Sequence, residues 1–129
     1  MARWAWLIVC TIAVLAAAGC GQEGPKAALT ITDENFDETI KEGVVLVDFW
    51  APWCPPCRTQ GPIVERVAAA FKGKAKVGKL NVDDNKKTAA RFGVRSIPTL
   101  IVFNGGEKVE QFVGVQSEEK LRAALNAQI

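Results

Sequence analysis

Hydrophobic residues along this chain recur in two alternating patterns: short β-branched runs typical of strands, and four-residue repeats typical of helices. The run from Val44 to Trp50 is nearly all apolar, as expected of a central strand covered on both faces, and Asp48 is its only charged residue. Ile63, Val67 and Phe71 then recur every four residues and predict a helix. A central strand that leads into a helix is therefore predicted for the middle of the chain.

The other segments continue this alternation of strands and helices. They are a strand at 29–31, a helix that starts at Thr32 or Asp33 and ends at Gly43, a strand at 76–82, a helix at 83–92, a hairpin of strands 99–103 and 108–113, and a last helix capped by Ser117. Pro62 should kink the second helix, and Asn104-Gly105 supplies the positive φ angles of the hairpin turn. We therefore predict an α/β fold whose central mixed sheet has parallel strands at the front, a hairpin at the other edge and helices on both faces.

Composition and charge restrict the possible chemistry. The 129 residues include 16 basic and 14 acidic side chains and no histidine, and 49% are apolar. This is the composition of one globular domain, which we expect to be a monomer, and it argues against nucleic acid as a partner. Without histidine, the chain cannot use Ser-His-Asp or Cys-His catalysis or build a histidine metal site. Its chemistry must therefore use thiols, carboxylates or lysines.

The first 19 residues have the layout of a secretory signal. An uncharged stretch from Trp4 to Ala18 follows Arg3, and it is shorter than the about 20 apolar residues that a membrane-spanning helix needs. The segment Ala17-Ala18-Gly19-Cys20 resembles the lipobox of bacterial lipoproteins, in which cleavage precedes a cysteine that is then lipidated. We therefore predict a lipoprotein-type signal peptide at 1–19, a polar tether at 20–28 and a folded domain at 29–129.

Two other outcomes remain open for this leader. Cleavage after Ala18 would leave Cys20 as a free thiol, and an uncleaved leader would act as a signal anchor. In all three cases Arg3 favours a cytoplasmic location for the start of the chain. The folded part is therefore expected outside the cytoplasm, in a bacterial cell envelope, and a lipid or a signal anchor would hold it at the inner or the outer membrane.

The motif Cys54-Pro55-Pro56-Cys57 follows the central strand and begins the next helix. Two intervening residues in the first helical turn bring the sulfurs close enough to bond, and proline costs nothing there because the first helical amides have no acceptor within the helix. Cys54 at the helix N-terminus should be the nucleophile of disulfide exchange, because the dipole and the free amides favour its thiolate. Cys57, further inside the helix, would be shielded and would act as the resolving thiol.

Two unreactive roles for this cysteine pair stay open. A purely structural disulfide that closes so small a loop would stabilise the fold little. Half of a zinc site would need a second cysteine pair or histidines to complete a tetrahedral set, and the chain contains neither. We therefore expect no metal and no bound cofactor, with the redox-active disulfide of Cys54 and Cys57 in their place.

The motif and its surroundings closely resemble the thioredoxin family. The matching residues are Phe49 to Cys57, Pro62, Lys79 to Asp83, Ile97-Pro98-Thr99 and Val113-Gly114, and the resemblance runs from about Leu29 to Ile129. It implies a thioredoxin fold over the whole domain and thiol-disulfide exchange as its activity. Thioredoxins typically have Gly-Pro between the cysteines, whereas this chain has Pro55-Pro56, as tryparedoxin-like proteins do. The resemblance implies that Pro55 and Pro56 tune the reduction potential.

The resemblance also implies roles for three residues away from the motif. Asp48 matches the family's buried acid, which exchanges a proton with Cys57, and burial would raise its pKa; a shifted strand register would instead place it at the surface. Lys79 matches a lysine that moderates the charge of this acid, and its alternative is a solvated lysine at a strand edge. Pro98 matches a cis-proline beside the disulfide.

A flat apolar rim around Cys54 is implied as the docking surface for protein substrates. Its residues are Trp53, Ile97, Gly114 and Val115. Pro98 would present the Ile97 backbone to an extended substrate strand and keep metals off the sulfurs. Packing in the core is the alternative for Trp53, and it is the preferred interpretation for Trp50.

Together these features predict an exported, membrane-tethered oxidoreductase that reduces disulfides of other exported proteins. Its electrons must come from a membrane electron carrier, because the domain lacks a Gly-rich fingerprint for a nicotinamide. Two alternatives remain: a dithiol oxidase or isomerase, which an oxidising compartment would favour, and a redox-inert binding module with a thioredoxin fold.

Overall fold

A computed structural model describes residues 26–129 of the chain. Its elements are β1 (Leu29–Thr30), α1 (Phe36–Ile40), β2 (Val44–Trp50), α2 (Pro55–Ala70), β3 (Lys76–Asn81), α3 (Lys86–Arg91), β4 (Thr99–Asn104), β5 (Glu107–Val113) and α4 (Glu118–Asn126). The signal peptide, Cys20 and the tether up to residue 25 lie outside the described residues, so they stay predictions. Within residues 26–129, no helix is both long enough and apolar enough to cross a membrane.

The five strands form one mixed sheet in the order β1-β3-β2-β4-β5. β2 runs parallel to β3 and antiparallel to β4, and β5 is antiparallel to β4. The parallel half follows from the strand-helix-strand alternation, because a crossover helix returns the chain to the same end of the sheet, whereas a tight turn reverses it. The predicted α/β fold with a mixed sheet is therefore confirmed.

Helices cover both faces of the sheet. Leu46 of β2 packs in a cluster with residues of α2 and α4, whereas Val45 and Val47 pack with residues of α1 and α3. Successive side chains of a strand point to opposite faces, so covering both faces requires the nearly continuous apolar run of β2. By the same alternation Asp48 points to the face that α2 covers.

The starts of α1 and α3 differ from the prediction. Thr32 Oγ1 accepts the N–H of Asn35 at 3.3 Å in a turn that precedes α1, so it does not cap the helix itself. Asp33 contacts α3 instead, where its Oδ1 accepts the N–H and the hydroxyl of Thr88 at 2.9 and 2.7 Å. The predicted helix at 83–92 is limited to Lys86–Arg91, and the three residues before it form a turn and the N-cap.

The predicted hairpin is present, but its turn lies one residue later. Asn104 ends β4, and the turn residues Gly105 and Gly106 have φ angles of 60° and 87°. A two-residue turn that matches the twist of its strands needs positive φ at both positions, and glycine adopts it without steric cost. The prediction for α4 is confirmed, because Ser117 Oγ accepts the N–H of Lys120 at 3.2 Å.

Helix α2 also holds the chain that precedes β1. The Oε2 atom of Glu65 accepts the backbone N–H groups of Ala27 and Ala28 at 2.6 and 2.9 Å. The predicted tether therefore joins the domain on the side where α2 lies.

The same helix contains Pro62 and continues beyond it to Ala70 as one helix.

Candidate active site

The Cys54-Pro55-Pro56-Cys57 motif begins α2 just beyond the end of β2. Cys54 is the N-cap residue, with φ −91° and ψ 112°, and the two prolines are the first helical residues. Their missing N–H groups break no helical hydrogen bond at that position. Cys54 and Cys57 form a disulfide with their Cα atoms 5.2 Å apart, so the predicted proximity of the sulfurs is confirmed.

The two sulfurs differ in their hydrogen bonding. The backbone N–H of Cys57 donates to Cys54 Sγ at 3.3 Å, as an N–H donates to the side-chain oxygen of an ordinary N-cap residue. The same Sγ lies 3.7 Å from the carbonyl oxygen of Ile97. Each cysteine is only 3% exposed in the disulfide form, so the expected contrast in shielding is absent from this state. The two sulfurs differ instead in the hydrogen bond that Cys54 Sγ accepts from the backbone N–H of Cys57.

Asp48 is completely buried on the face of β2 that α2 covers. Its Oδ1 and Oδ2 are the only buried side-chain oxygen or nitrogen atoms of residues 26–129 without a hydrogen-bond partner. Burial raises the pKa of Asp48 from 3.8 to about 7, and the positive charge of Lys79 acts in the opposite direction. This carboxyl group can therefore take and release a proton at neutral pH, and the alternative of a surface aspartate is wrong.

Lys79 is the register partner of Asp48 in the neighbouring strand β3. Its Nζ lies 4.6 Å from the centroid of the Trp50 ring. A Cβ atom on Gly61 of α2 would lie 3.4 Å from this Nζ, at ordinary van der Waals contact distance, so the ammonium group lies close to α2. Because β3 lies between β1 and β2, Lys79 is not a lysine of a sheet edge. Trp50 is half-buried rather than part of the deep core.

Pro98 follows a cis peptide bond after Ile97, in agreement with the prediction. Its carbonyl oxygen accepts the N–H of Gly114 at 2.8 Å. Gly114 has φ 89°, a conformation that favours glycine. Ile97 also packs against the cluster that contains both cysteines. The structure thus brings Ile97, Pro98 and Gly114 together beside Cys54.

The outer part of the predicted rim is exposed. Trp53 is 63% exposed and Val115 is 43% exposed, and Val113, which is not one of the predicted rim residues, is also exposed two positions before Val115. Packing in the core is therefore wrong for Trp53. Its indole N–H donates to Oδ2 of Asp83 at 2.9 Å, which fixes one edge of the ring while leaving much of it open to solvent.

Known proteins resemble this chain over nearly all of the described residues. The family model described as Thioredoxin matches residues 27–127. The chain belongs to the thioredoxin family. It is 53% identical over 100 residues to the thioredoxin of Staphylococcus haemolyticus, covering 78% of this chain and 96% of the relative. It is 54% identical over 95 residues to the thioredoxin of Staphylococcus saprophyticus, covering 74% of this chain and 91% of the relative. It is 51% identical over 100 residues to the thioredoxin of Alicyclobacillus acidocaldarius, covering 77% of this chain and 95% of the relative.

Thioredoxin-family membership and the redox-active cysteine pair make this protein a thiol-disulfide oxidoreductase. The predicted fold family and enzyme class are therefore confirmed. Thioredoxins need no cofactor, because the disulfide that reacts is part of the chain. Within residues 26–129, no group of three or more histidine, cysteine, aspartate or glutamate side chains could hold a metal ion.

Two side chains of this thioredoxin domain, one bonded to a rim residue and one bonded to the residue after the rim, were missed from the sequence. Asp83 holds Trp53, which lies 30 positions away, and no local pattern connects them. Gln60 is completely buried in α2 and bonds to the backbone of Gln116. A signal for Gln60 does exist, because the buried stripe of α2 that contains Val64 and Val67 continues back through it to Cys57, whereas Ile63, used for the prediction, is only half-buried.

Proposed function

We propose that this thioredoxin-family protein is exported, is held at a bacterial membrane by its N-terminus, and reduces disulfides of other exported proteins. The observation that carries the proposed reaction is the N–H donated by Cys57 to Cys54 Sγ at 3.3 Å, because a donor to that sulfur favours its thiolate. The uncharged leader before Ala18 and the lipobox-like residues that end at Cys20 support the proposed compartment.

The proposed reaction has two exchange steps. The Cys54 thiolate attacks one sulfur of the substrate disulfide, so a mixed disulfide forms, and the other substrate sulfur leaves as a thiolate that takes a proton from water. Cys57 then gives its proton to the Asp48 carboxylate and attacks Cys54 Sγ, which breaks the mixed disulfide. The substrate leaves with both sulfurs reduced, and the two electrons come from the cysteine pair, which becomes a disulfide again.

The surroundings of the cysteines supply docking and tuning in this proposal. Protein substrates dock as an extended strand on the rim of Trp53, Ile97, Gly114 and Val115. Pro98 presents the Ile97 backbone and keeps metals off the sulfurs. Lys79 moderates the charge of Asp48, and Pro55 and Pro56 tune the reduction potential. The exposed apolar side chains of Trp53 and Val115 support this assignment of the docking surface.

The mechanism is tested by trapping substrates. The full chain carrying Cys57→Ser should accumulate mixed disulfides with envelope proteins through Cys54, visible as adducts that dithiothreitol releases. A Cys54→Ser variant is the matched control and should form far fewer adducts. Equal adduct yields from both variants, or none from Cys57→Ser, would contradict the assigned order of attack.

The anchor is tested by fractionating cells that express the full chain. The wild-type protein should sediment with membranes and partition into detergent, while Cys20→Ser should lose the lipid-dependent part of this association. A wild-type protein that remains entirely in the cytoplasmic fraction would contradict export.

The direction of the reaction is tested by the equilibrium reduction potential of the cysteine pair against glutathione. A value of about −270 mV supports reduction of substrates with electrons from a membrane carrier, and a value of about −120 mV would make the protein an oxidant.

A further inference from the structure

A glutamine occupies a position of α2 where an apolar residue is expected. Gln60 lies one turn after Cys57 on the buried stripe of α2, and its side chain is completely buried. Burying an amide group is costly unless both of its ends form hydrogen bonds. Gln60 meets this condition with one partner residue: its Oε1 accepts the N–H of Gln116 at 2.6 Å, and its Nε2 donates to the carbonyl oxygen of Gln116 at 3.1 Å.

This two-point contact holds the segment that carries half of the rim. Gln116 directly follows Gly114 and Val115, and its own side-chain amide donates to the carbonyl oxygen of Gly114 at 3.1 Å. On the other side, the N–H of Gly114 donates to the carbonyl oxygen of Pro98 at 2.8 Å. The exposed Val115 therefore lies between two hydrogen-bonded residues: Gly114, which is bonded to Pro98, and Gln116, which is bonded to Gln60 of α2.

We propose that Gln60 is a positioning residue that fixes Gly114 and Val115 relative to Cys54 and thereby sets the affinity for protein disulfides. This inference rests on the proposed docking role of the rim. Among the described residues, the side-chain hydrogen bonds of Gln60 go to Gln116 and not to a rim residue or a sulfur, so Gln60 acts by ordering the segment before a substrate arrives. A small disulfide does not dock on the rim, so its reduction rate should not change when Gln60 is substituted.

The test compares a protein substrate with a small one. In the full chain, Gln60→Met keeps the volume of the side chain and removes both hydrogen bonds to Gln116. The KM for insulin should rise about fivefold, with kcat changed by less than about twofold, because the loss concerns binding rather than exchange. The rate with hydroxyethyl disulfide should stay within about twofold of the wild-type rate. The amide of Gln116 should exchange its hydrogen faster than in the wild type.

Two further variants separate positioning from general stability. Gln60→Glu can imitate the amide when protonated, because one oxygen accepts and the other donates, and it loses this donor when it ionises. Its KM for insulin, divided by the wild-type value at the same pH, should be near one at about pH 5 and should rise towards about pH 8. Val67→Ala removes buried volume from α2 away from the rim, and its KM should equal that of the wild type.

An unchanged insulin KM in folded Gln60→Met, or an equal loss with insulin and hydroxyethyl disulfide, would overturn the inference. If Gln60→Met does not fold, a constant KM ratio for Gln60→Glu between the two pH values would overturn it. A wild-type protein that fails to reduce insulin would instead contradict the proposed function, so the two failures are distinguishable.

Discussion

Asp48→Asn should stabilise the protein by an amount that grows with pH. The buried Asp48 carboxyl has a pKa of about 7, raised from 3.8 mainly by burial, and neither oxygen has a hydrogen-bond partner. Between about pH 4 and pH 7 the folded state therefore keeps a proton that the unfolded state has released, so the free energy of unfolding falls as the pH rises and the loss is complete above pH 7. At about 1.4 kcal/mol for each unit of pKa, this loss amounts to about 4 kcal/mol.

Urea unfolding of the oxidised wild type and of Asp48→Asn at about pH 4 and pH 8 measures this effect. The stability difference between the two proteins should increase by about 4 kcal/mol from the lower to the higher pH, while the pH-independent cost of the new amide cancels. Asp84→Asn, at an exposed position, is the matched control and should give nearly the same difference at both pH values. An increase below about 1 kcal/mol for Asp48→Asn would refute the reasoning, because it would mean that the carboxylate is solvated in the folded state.

Three other substitutions test separate parts of the structure. Lys79→Met removes the charge that lowers the pKa of Asp48, so the midpoint of the pH-dependent stability should move to higher pH; a move to lower pH would contradict this. Gly78→Ala should cost about 1 to 3 kcal/mol in urea unfolding, because its Cβ would lie 2.7 Å from Ile31 Cγ1, and a neutral result would contradict the close packing of Ile31 on β3. Ser117→Ala should cost about 1 kcal/mol through the lost cap of α4 without changing the exchange rate, and an unchanged stability would show that the cap contributes nothing.

Features that depend on neighbouring residues could be predicted from the sequence. The apolar run of β2 indicated a strand covered on both faces, and the structure packs alternate residues of this strand into two clusters. The prolines after Cys54 were expected at the start of a helix, where their missing N–H groups do no harm, and they begin α2. Ser117 caps α4 through a residue three positions away.

Features that depend on distant partners could not be predicted in this way. Asp33 had the right residue type and position to cap α1, but α3 offers it two donors from Thr88, 55 positions away. The buried stripe of α2 indicates where Gln60 lies, but the partner that satisfies its buried amide, Gln116, is 56 positions away and has no local signal. The family resemblance indicated which residues surround Cys54, but the side chains that hold this rim became apparent only from the packing.

The proposed exchange reaction depends most on the different reactivity of the two thiols in the reduced protein. Brief alkylation with iodoacetamide at about pH 7, followed by peptide mass spectrometry, measures it directly. The hydrogen bond to Cys54 Sγ and its N-cap position predict that Cys54 reacts roughly tenfold or more faster than Cys57. Equal and slow alkylation of both cysteines would contradict the assignment of Cys54 as the attacking thiolate.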